Sequence, residues 1–238
     1  MATPDITIYG AGIFGLSIGF EILKRGFKVK IVDISKPGFG ASGGLLGALA
    51  PHTPDNWNEK KEFQLSSLLM QQKFWTEVYA ISGVDVEYSK NGRIIPLIDD
   101  RAVKLSLGRT ESAKKLWKGL ASWETISKID TNWYVASPTG LYSYDTMSAQ
   151  LNPRKACKSL ELAVKKLGAT IEGNVNNSVN KNGLQIWATE HQGLNTLSKE
   201  FNKLIGDGVK GQAALLTLDR RNHPQLFTDG THIIPQQN

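Results

Sequence analysis

The chain's 238 residues suffice for one sizeable hydrophobic core or two smaller ones. With 40% hydrophobic and 21% charged residues the composition is ordinary globular, which excludes wholesale disorder. The net charge of +6 is spread in ones and twos, as at Lys24/Arg25, Lys60/Lys61, Lys114/Lys115, Lys165/Lys166 and Arg220/Arg221; without a basic stripe and interleaved aromatics, nucleic acid is not an expected partner.

Residues 5–10 predict a short strand that runs into a glycine turn, Gly10-Ala11-Gly12-Ile13-Phe14-Gly15. A helix is expected over 16–25, with Leu16, Phe20 and Leu23 on one side and Gly26 closing it. The stretch 6–20 is the most apolar of the chain, but it carries four glycines and falls short of the roughly 18 apolar residues of a membrane span. The opening Met-Ala-Thr-Pro-Asp has no basic run, so neither a span nor a secretory signal is expected, and a cytoplasmic location is. Residues 27–33 predict a second, parallel strand ending at Asp33.

Strand, glycine turn, helix and strand in succession form a dinucleotide-binding crossover. Gly10 permits the turn, Gly12 lets backbone approach a pyrophosphate, and Gly15, with Gly19 a turn later, lets the helix pack closely on the sheet. Unpaired amides and the positive dipole end of the helix suit phosphates. Asp33, 23 residues after Gly10, can accept hydrogen bonds from an adenosine ribose; an acid there disfavours the 2′-phosphate of NADP. NAD and FAD remain open at this point.

Residues 37–51 are glycine-rich and almost uncharged, with the Ser42 hydroxyl among them, so the backbone can lie against a flat ligand. Here Gly40-Ala41-Ser42 and Gly47-Ala48-Leu49-Ala50-Pro51 resemble two elements of the FAD-dependent oxidoreductases of the D-amino-acid oxidase and glycine oxidase type. The resemblance implies FAD, held by Gly10, Gly12, Ile13, Phe14, Gly15 and Asp33 from the crossover. It also implies contacts from Ala41, Ser42, Gly43 and Leu45, and from Val175 further on. The fold it implies is α/β: a Rossmann-like FAD-binding domain (1–80 and 145–200) with an inserted α+β substrate domain (81–144 and 201–238).

Asn56 followed by Glu59 has the spacing of a capping box, and a helix is expected to about residue 81 with Phe63, Leu65, Leu68, Leu69, Phe74, Trp75 and Val78 buried. Residues 84–99 alternate around Asn91-Gly92, a hairpin signal. A helix over 101–120 turns Val103, Leu107, Ala113, Leu116, Trp117 and Leu120 inward, and short strands and loops follow over 122–144. Residues 140–142 and 151–155 resemble the family's return to its FAD domain, with a helix over 153–167 and a strand at 169–171. Residues 183–189, 209–216 and 230–235 resemble further family strands.

Two departures stand out. Glu190 follows Ala188-Thr189 where the family has glycine; a carboxylate there crowds and repels a pyrophosphate. The polar run between Ile171 and Gly183 also suggests a pared-down connection. The chain stops soon after 230–235, where relatives continue, so a truncated relative, a fragment or a chain completed by another is expected.

Among candidates for chemistry, His52 follows the glycine-rich stretch and His232 lies where relatives place an aromatic residue near the substrate carboxylate; both are candidate catalytic residues. Arg93, on a hairpin strand, could bind an anion but reads as a solvated strand residue, and Cys157 reads as inert core. A single cysteine excludes an internal disulfide and fits a reducing compartment. No spacing of Cys, His, Asp or Glu suggests a metal. The resemblance implies oxidation of a small amine or amino acid by hydride transfer to flavin, with oxygen or another electron acceptor and a possible complementary chain or homo-oligomer. The alternative is a remnant that binds a nucleotide without turnover.

Overall fold

A computed structural model describes residues 4–127, 129, 132–173 and 183–236. In chain order its elements are β1 (Ile6–Tyr9), α1 (Ile13–Lys24), β2 (Val29–Val32), β3 (Ala48–Leu49), α2 (Glu59–Ser82), β4 (Arg93–Pro96), α3 (Asp100–Leu116) and β5 (Trp123–Ile126). They continue with β6 (Tyr142–Asp145), β7 (Ala149–Gln150), α4 (Pro153–Lys166), β8 (Thr170–Glu172), β9 (Leu184–Trp187), α5 (Glu190–Glu200), β10 (Gln225–Thr228) and β11 (Thr231–Ile233). Two compact units result. The first comprises Met1–Leu45, Thr76–Val86 and Pro153–Leu215; the second comprises Leu46–Trp75, Glu87–Asn152 and Leu216–Asn238. Residues 46–75 thus group with the second unit, and 201–215 with the first, where the sequence suggested the opposite.

The first unit holds a four-stranded parallel sheet in the order β8-β2-β1-β9. Every side chain of β1 is buried, as a strand covered on both faces requires. Ile8 pairs with Ile31 of β2 and Ile186 of β9, which puts apolar side chains in one row. Helix α1 buries Gly15, Leu16, Gly19 and Phe20, and α4 packs against it through a face that includes Ala156, Leu160, Ala163 and Val164. Leu160 and Val164 are wholly buried, each stabilising the unit by about 1.5–3 kcal/mol. Gly26 adopts a left-handed φ of +86° and its N–H bonds the Leu23 carbonyl, ending α1 where expected.

The second unit is built on a five-stranded mixed sheet in the order β11-β10-β4-β6-β5 and a small antiparallel pair, β3 with β7. Its core joins Leu65 of α2, Ala113 of α3, Trp117, Trp123 and Met147, with the two indoles edge to face at 6.3 Å. Asp99 caps α3 by accepting from the Ala102 N–H at 2.7 Å.

Several expectations are corrected. Asn58, not Asn56, caps α2, its side-chain oxygen accepting from Lys61 N–H at 3.1 Å. Phe63 is exposed because it lies two residues, about half a turn, from buried Leu65; Leu69 is also exposed. On α3 Ser106 is buried along with Ala113 while Leu107 is exposed, because the Ser106 hydroxyl meets Thr125 Oγ1 at 2.8 Å and accepts from Trp123 Nε1 at 3.3 Å. Leu120 is exposed beyond the helix end. Asn91-Gly92 closes no hairpin; Gly92 instead leads into β4, which pairs with β6 and β10. Residues 209–216 form no strand, since nothing among the described residues offers them a ladder, and Leu215 and Leu216 are exposed. Helix α5 and strand β10 were not foreseen.

Candidate functional site

In the first unit β1 delivers the chain to Gly10, whose φ of +105° is open to glycine and strained for other residues. A Cβ on Gly15 would lie 1.8 Å from the Gly10 carbonyl oxygen, so helix α1 starts in direct backbone contact with the turn. The N-terminus of α1 receives no cap from its own preceding residue. Instead Ile13 N–H donates to Ser42 Oγ at 3.0 Å, bringing the turn at Ala41–Gly43 over the helix end. Asp33, just past the end of β2, accepts from Ala11 N–H at 2.6 Å and Ser35 N–H at 2.8 Å. The carboxylate sequence reasoning chose for the ribose therefore stands against the glycine turn.

The seat between these turns has an occupant from the chain itself. The Glu190 carboxylate accepts from Ala41 N–H at 3.0 Å and from the Ser42 hydroxyl at 3.3 Å. A Cβ on Gly12 would meet Glu190 Oε1 at 2.9 Å, and one on Gly40 would meet Oε2 at 2.6 Å. Glycine at both positions is what lets an oxyanion come this close. An amide N–H, a hydroxyl and a helix N-terminus together make a donor set that suits an oxyanion, and the carboxylate serves as a stand-in for one. The residues present therefore fit a diphosphate, with Glu190 as their present partner. Beneath, Cys157 is buried with Sγ 3.7 Å from the Ser42 carbonyl oxygen. Burial, then the Glu190 charge, push its thiol up to about 11, so it is inert at neutral pH.

Beside this seat lies a cavity of about 780 Å³ bounded by Gly10, Asp33, Trp187, Thr189 and residues of α5. That volume falls within the range of small-molecule sites. Trp187 stacks on Tyr9 at 4.4 Å, giving the cavity an aromatic wall. The cavity lies outside the carboxyl ends of β1 and β2, where ligands bind in sheets of this kind.

The other expected contacts are more dispersed. Phe14 is 74% exposed on the outer side of α1, Ile13 and Leu45 are half-buried, and the Gly43 carbonyl accepts from Arg154 Nε at 2.9 Å. Val175 lies outside the described residues. In the second unit His52 is exposed, its N–H donating to Gln64 Oε1 at 2.6 Å. His232 stands against Phe227, ring centroids 4.5 Å apart. Desolvation, then the positive charge of Arg93, hold its pKa below the ordinary histidine value.

Arg93 is the main correction to the expected site: it is 7% exposed, not solvated. The register of β4 on β6 sets it opposite Asp145, whose carboxylate it meets at 3.1 Å, and its guanidinium reaches the Pro51 carbonyl at 3.5 Å. It therefore touches the residue before His52 and acts on His232. An arginine opening the unbroken apolar run 94–97 was the signal, since a strand buried on both faces leaves no solvated side. Among the described residues no group of three or more His, Cys, Asp or Glu could hold a metal ion, and no helix is long and apolar enough to cross a membrane.

Known proteins resemble this chain to different extents. The model of the DAO family, FAD dependent oxidoreductase, matches residues 5–236. Glycine oxidase of Geobacillus kaustophilus is 27% identical over 124 residues, covering 52% of this chain and 30% of that protein. The crystal structure of glycine oxidase from that organism aligns with a TM-score of 0.61 at 20% identity, over 72% of this chain and 46% of that one. L-Proline dehydrogenase from P. horikoshii aligns with a TM-score of 0.68 at 16% identity, over 94% of this chain and 64% of that one. These structures share the fold, and the chain spans less than half the length of the glycine oxidase it matches. With a family match over nearly all its residues, the chain belongs to the FAD-dependent oxidoreductases of the DAO family.

Proposed function

We propose that this chain binds FAD at the crossover of β1, α1 and β2 and serves the oxidation of a small amine or amino acid. The observation that carries the reading is the oxyanion seat made by Ala41 N–H, Ser42 and the start of α1, with Asp33 beside it. In that role Asp33 accepts from the adenosine ribose, the seat holds the diphosphate, and Gly12, Gly15 and Gly40 keep side chains out of its path. Bound FAD supplies a hydride acceptor, the chemistry its family is built on. On the substrate side His52 and His232 are the proposed catalytic residues. Desolvation, then the Arg93 charge, hold the His232 pKa below the ordinary histidine value, which favours its neutral imidazole form beside a substrate amine. The lone cysteine suits a reducing, cytoplasmic setting, and oxygen or another acceptor would take the electrons.

The test is to titrate the purified chain with FAD and then mix it anaerobically with amino acids and amines. Saturable flavin binding followed by bleaching of the flavin absorbance is the expected result. Failure to bind flavin at any concentration contradicts the reading. A second reading, a nucleotide-binding chain without turnover, is favoured by the carboxylate in the seat. Flavin that binds but is bleached by no substrate would select it.

A further inference from the structure

Glu190 has a φ of +54°, a left-handed conformation that glycine adopts freely and that carries a steric cost for glutamate. The chain nevertheless places the carboxylate there, and both its oxygens are engaged by the turn at Ala41–Gly43. A diphosphate needs those donors, and two anions cannot share them. Helix α5, which Glu190 begins, buries none of its residues, so its first turn can move without opening the core. Residues of α5, Gln192, Gly193 and Thr196 among them, also line the neighbouring cavity.

Resting on the FAD reading above, we propose that Glu190 is an internal occupant of the diphosphate seat. FAD then binds only by displacing a carboxylate of the chain itself, while the adjoining cavity stays open to an uncharged purine nucleoside. Position 190 thereby sets the affinity for dinucleotides separately from the affinity for the adenosine part. The carboxylate imitates one charged portion of the cofactor and leaves the aromatic portion's cavity free.

The experiment compares wild type, Glu190→Gln and Glu190→Gly as full chains. Their affinities for FAD, ADP and adenosine are measured by calorimetry in phosphate-free buffer. Glutamine keeps the size and removes the charge; glycine also removes the backbone strain. Both variants should bind FAD and ADP at least about tenfold more tightly than wild type, as expected for removal of one charged hydrogen-bonded competitor. Adenosine affinity should stay within about twofold across all three. Equal FAD and ADP affinities in the three proteins overturn the proposal. If that common affinity is high, the FAD reading survives; if none of the three binds FAD or ADP, that reading fails as well. Adenosine tightening in step with ADP overturns it too, since Glu190 would then be shaping the cavity as a whole. A gain confined to Glu190→Gly also overturns it, because backbone strain and not the anion would be closing the seat.

Discussion

Two carboxylates in this molecule, Asp145 in the second unit and Glu190 in the first, are held by opposite means. Asp145 is 1% exposed and is met by the full positive charge of Arg93, fixed opposite it by the pairing of β6 with β4. Its other oxygen accepts from Ser148 N–H at 2.7 Å. Among the described residues Glu190 is met by the Ala41 amide and the Ser42 hydroxyl, dipoles without a counter-charge, at a site open to solvent. A charge neutralised by a buried counter-charge is structural, because removing either partner leaves the other stranded. A charge neutralised by dipoles can be exchanged for another anion with little rearrangement. The same chemical group thus serves as a rivet in one unit and as an exchangeable occupant in the other.

The comparison breaks first at Asp145. Its replacement by alanine strands the Arg93 guanidinium, and urea unfolding should show a loss of about 3–5 kcal/mol. A loss under about 1 kcal/mol would place this pair among surface ion pairs and remove the contrast. Glu190→Gln should leave the unfolding midpoint close to wild type. A smaller effect is expected at Asp33, which accepts two backbone N–H groups. Asp33→Ala should lower stability by about 1–3 kcal/mol in the same assay and weaken adenosine binding. If adenosine binding is unchanged, Asp33 is only a brace for the turn.

A still smaller loss than at Asp33 is expected at Asp55, half-exposed in the second unit between Arg109 and Lys61. Burial pushes its carboxyl up, but the Thr53 hydroxyl and the Arg109 and Lys61 charges outweigh that and hold it at about 2. A folded pKa below the unfolded value of about 3.9 stabilises the protein above that pH. The contribution is lost as pH falls toward 2, and solvent screening keeps it near 1 kcal/mol. Wild type should therefore exceed Asp55→Asn by about that amount at pH 6 and match it below pH 2. A constant difference across the range would contradict the ion pairs with Arg109 and Lys61.

What could be read in the residues follows the same division. The first crossover was legible because its signals are local: glycines at steric contacts, an apolar strand, an acid at the strand end. Residues 209–216 misled because resemblance to a family strand says nothing about whether a neighbouring strand exists here to pair with it. Arg93 misled because the apolar residues after it hinted at burial, but the counter-charge that makes burial possible, Asp145, lies more than fifty residues away. Glu190 was legible as a misfit to its position, but not as an acceptor for Ala41 and Ser42, which takes the third dimension to see. The capping of α2 by Asn58 shows the finer limit: two asparagines two residues apart compete, and only the backbone decides which side chain reaches an N–H.

The most direct test of the account is a crystal structure of the chain with ADP at saturating concentration. The account predicts the diphosphate on Ala41 N–H and Ser42, the ribose at Asp33, the adenine in the cavity beside Trp187, and the Glu190 carboxylate turned away. Glu190 still bonded to Ala41 and Ser42, with ADP absent or bound elsewhere, would contradict it.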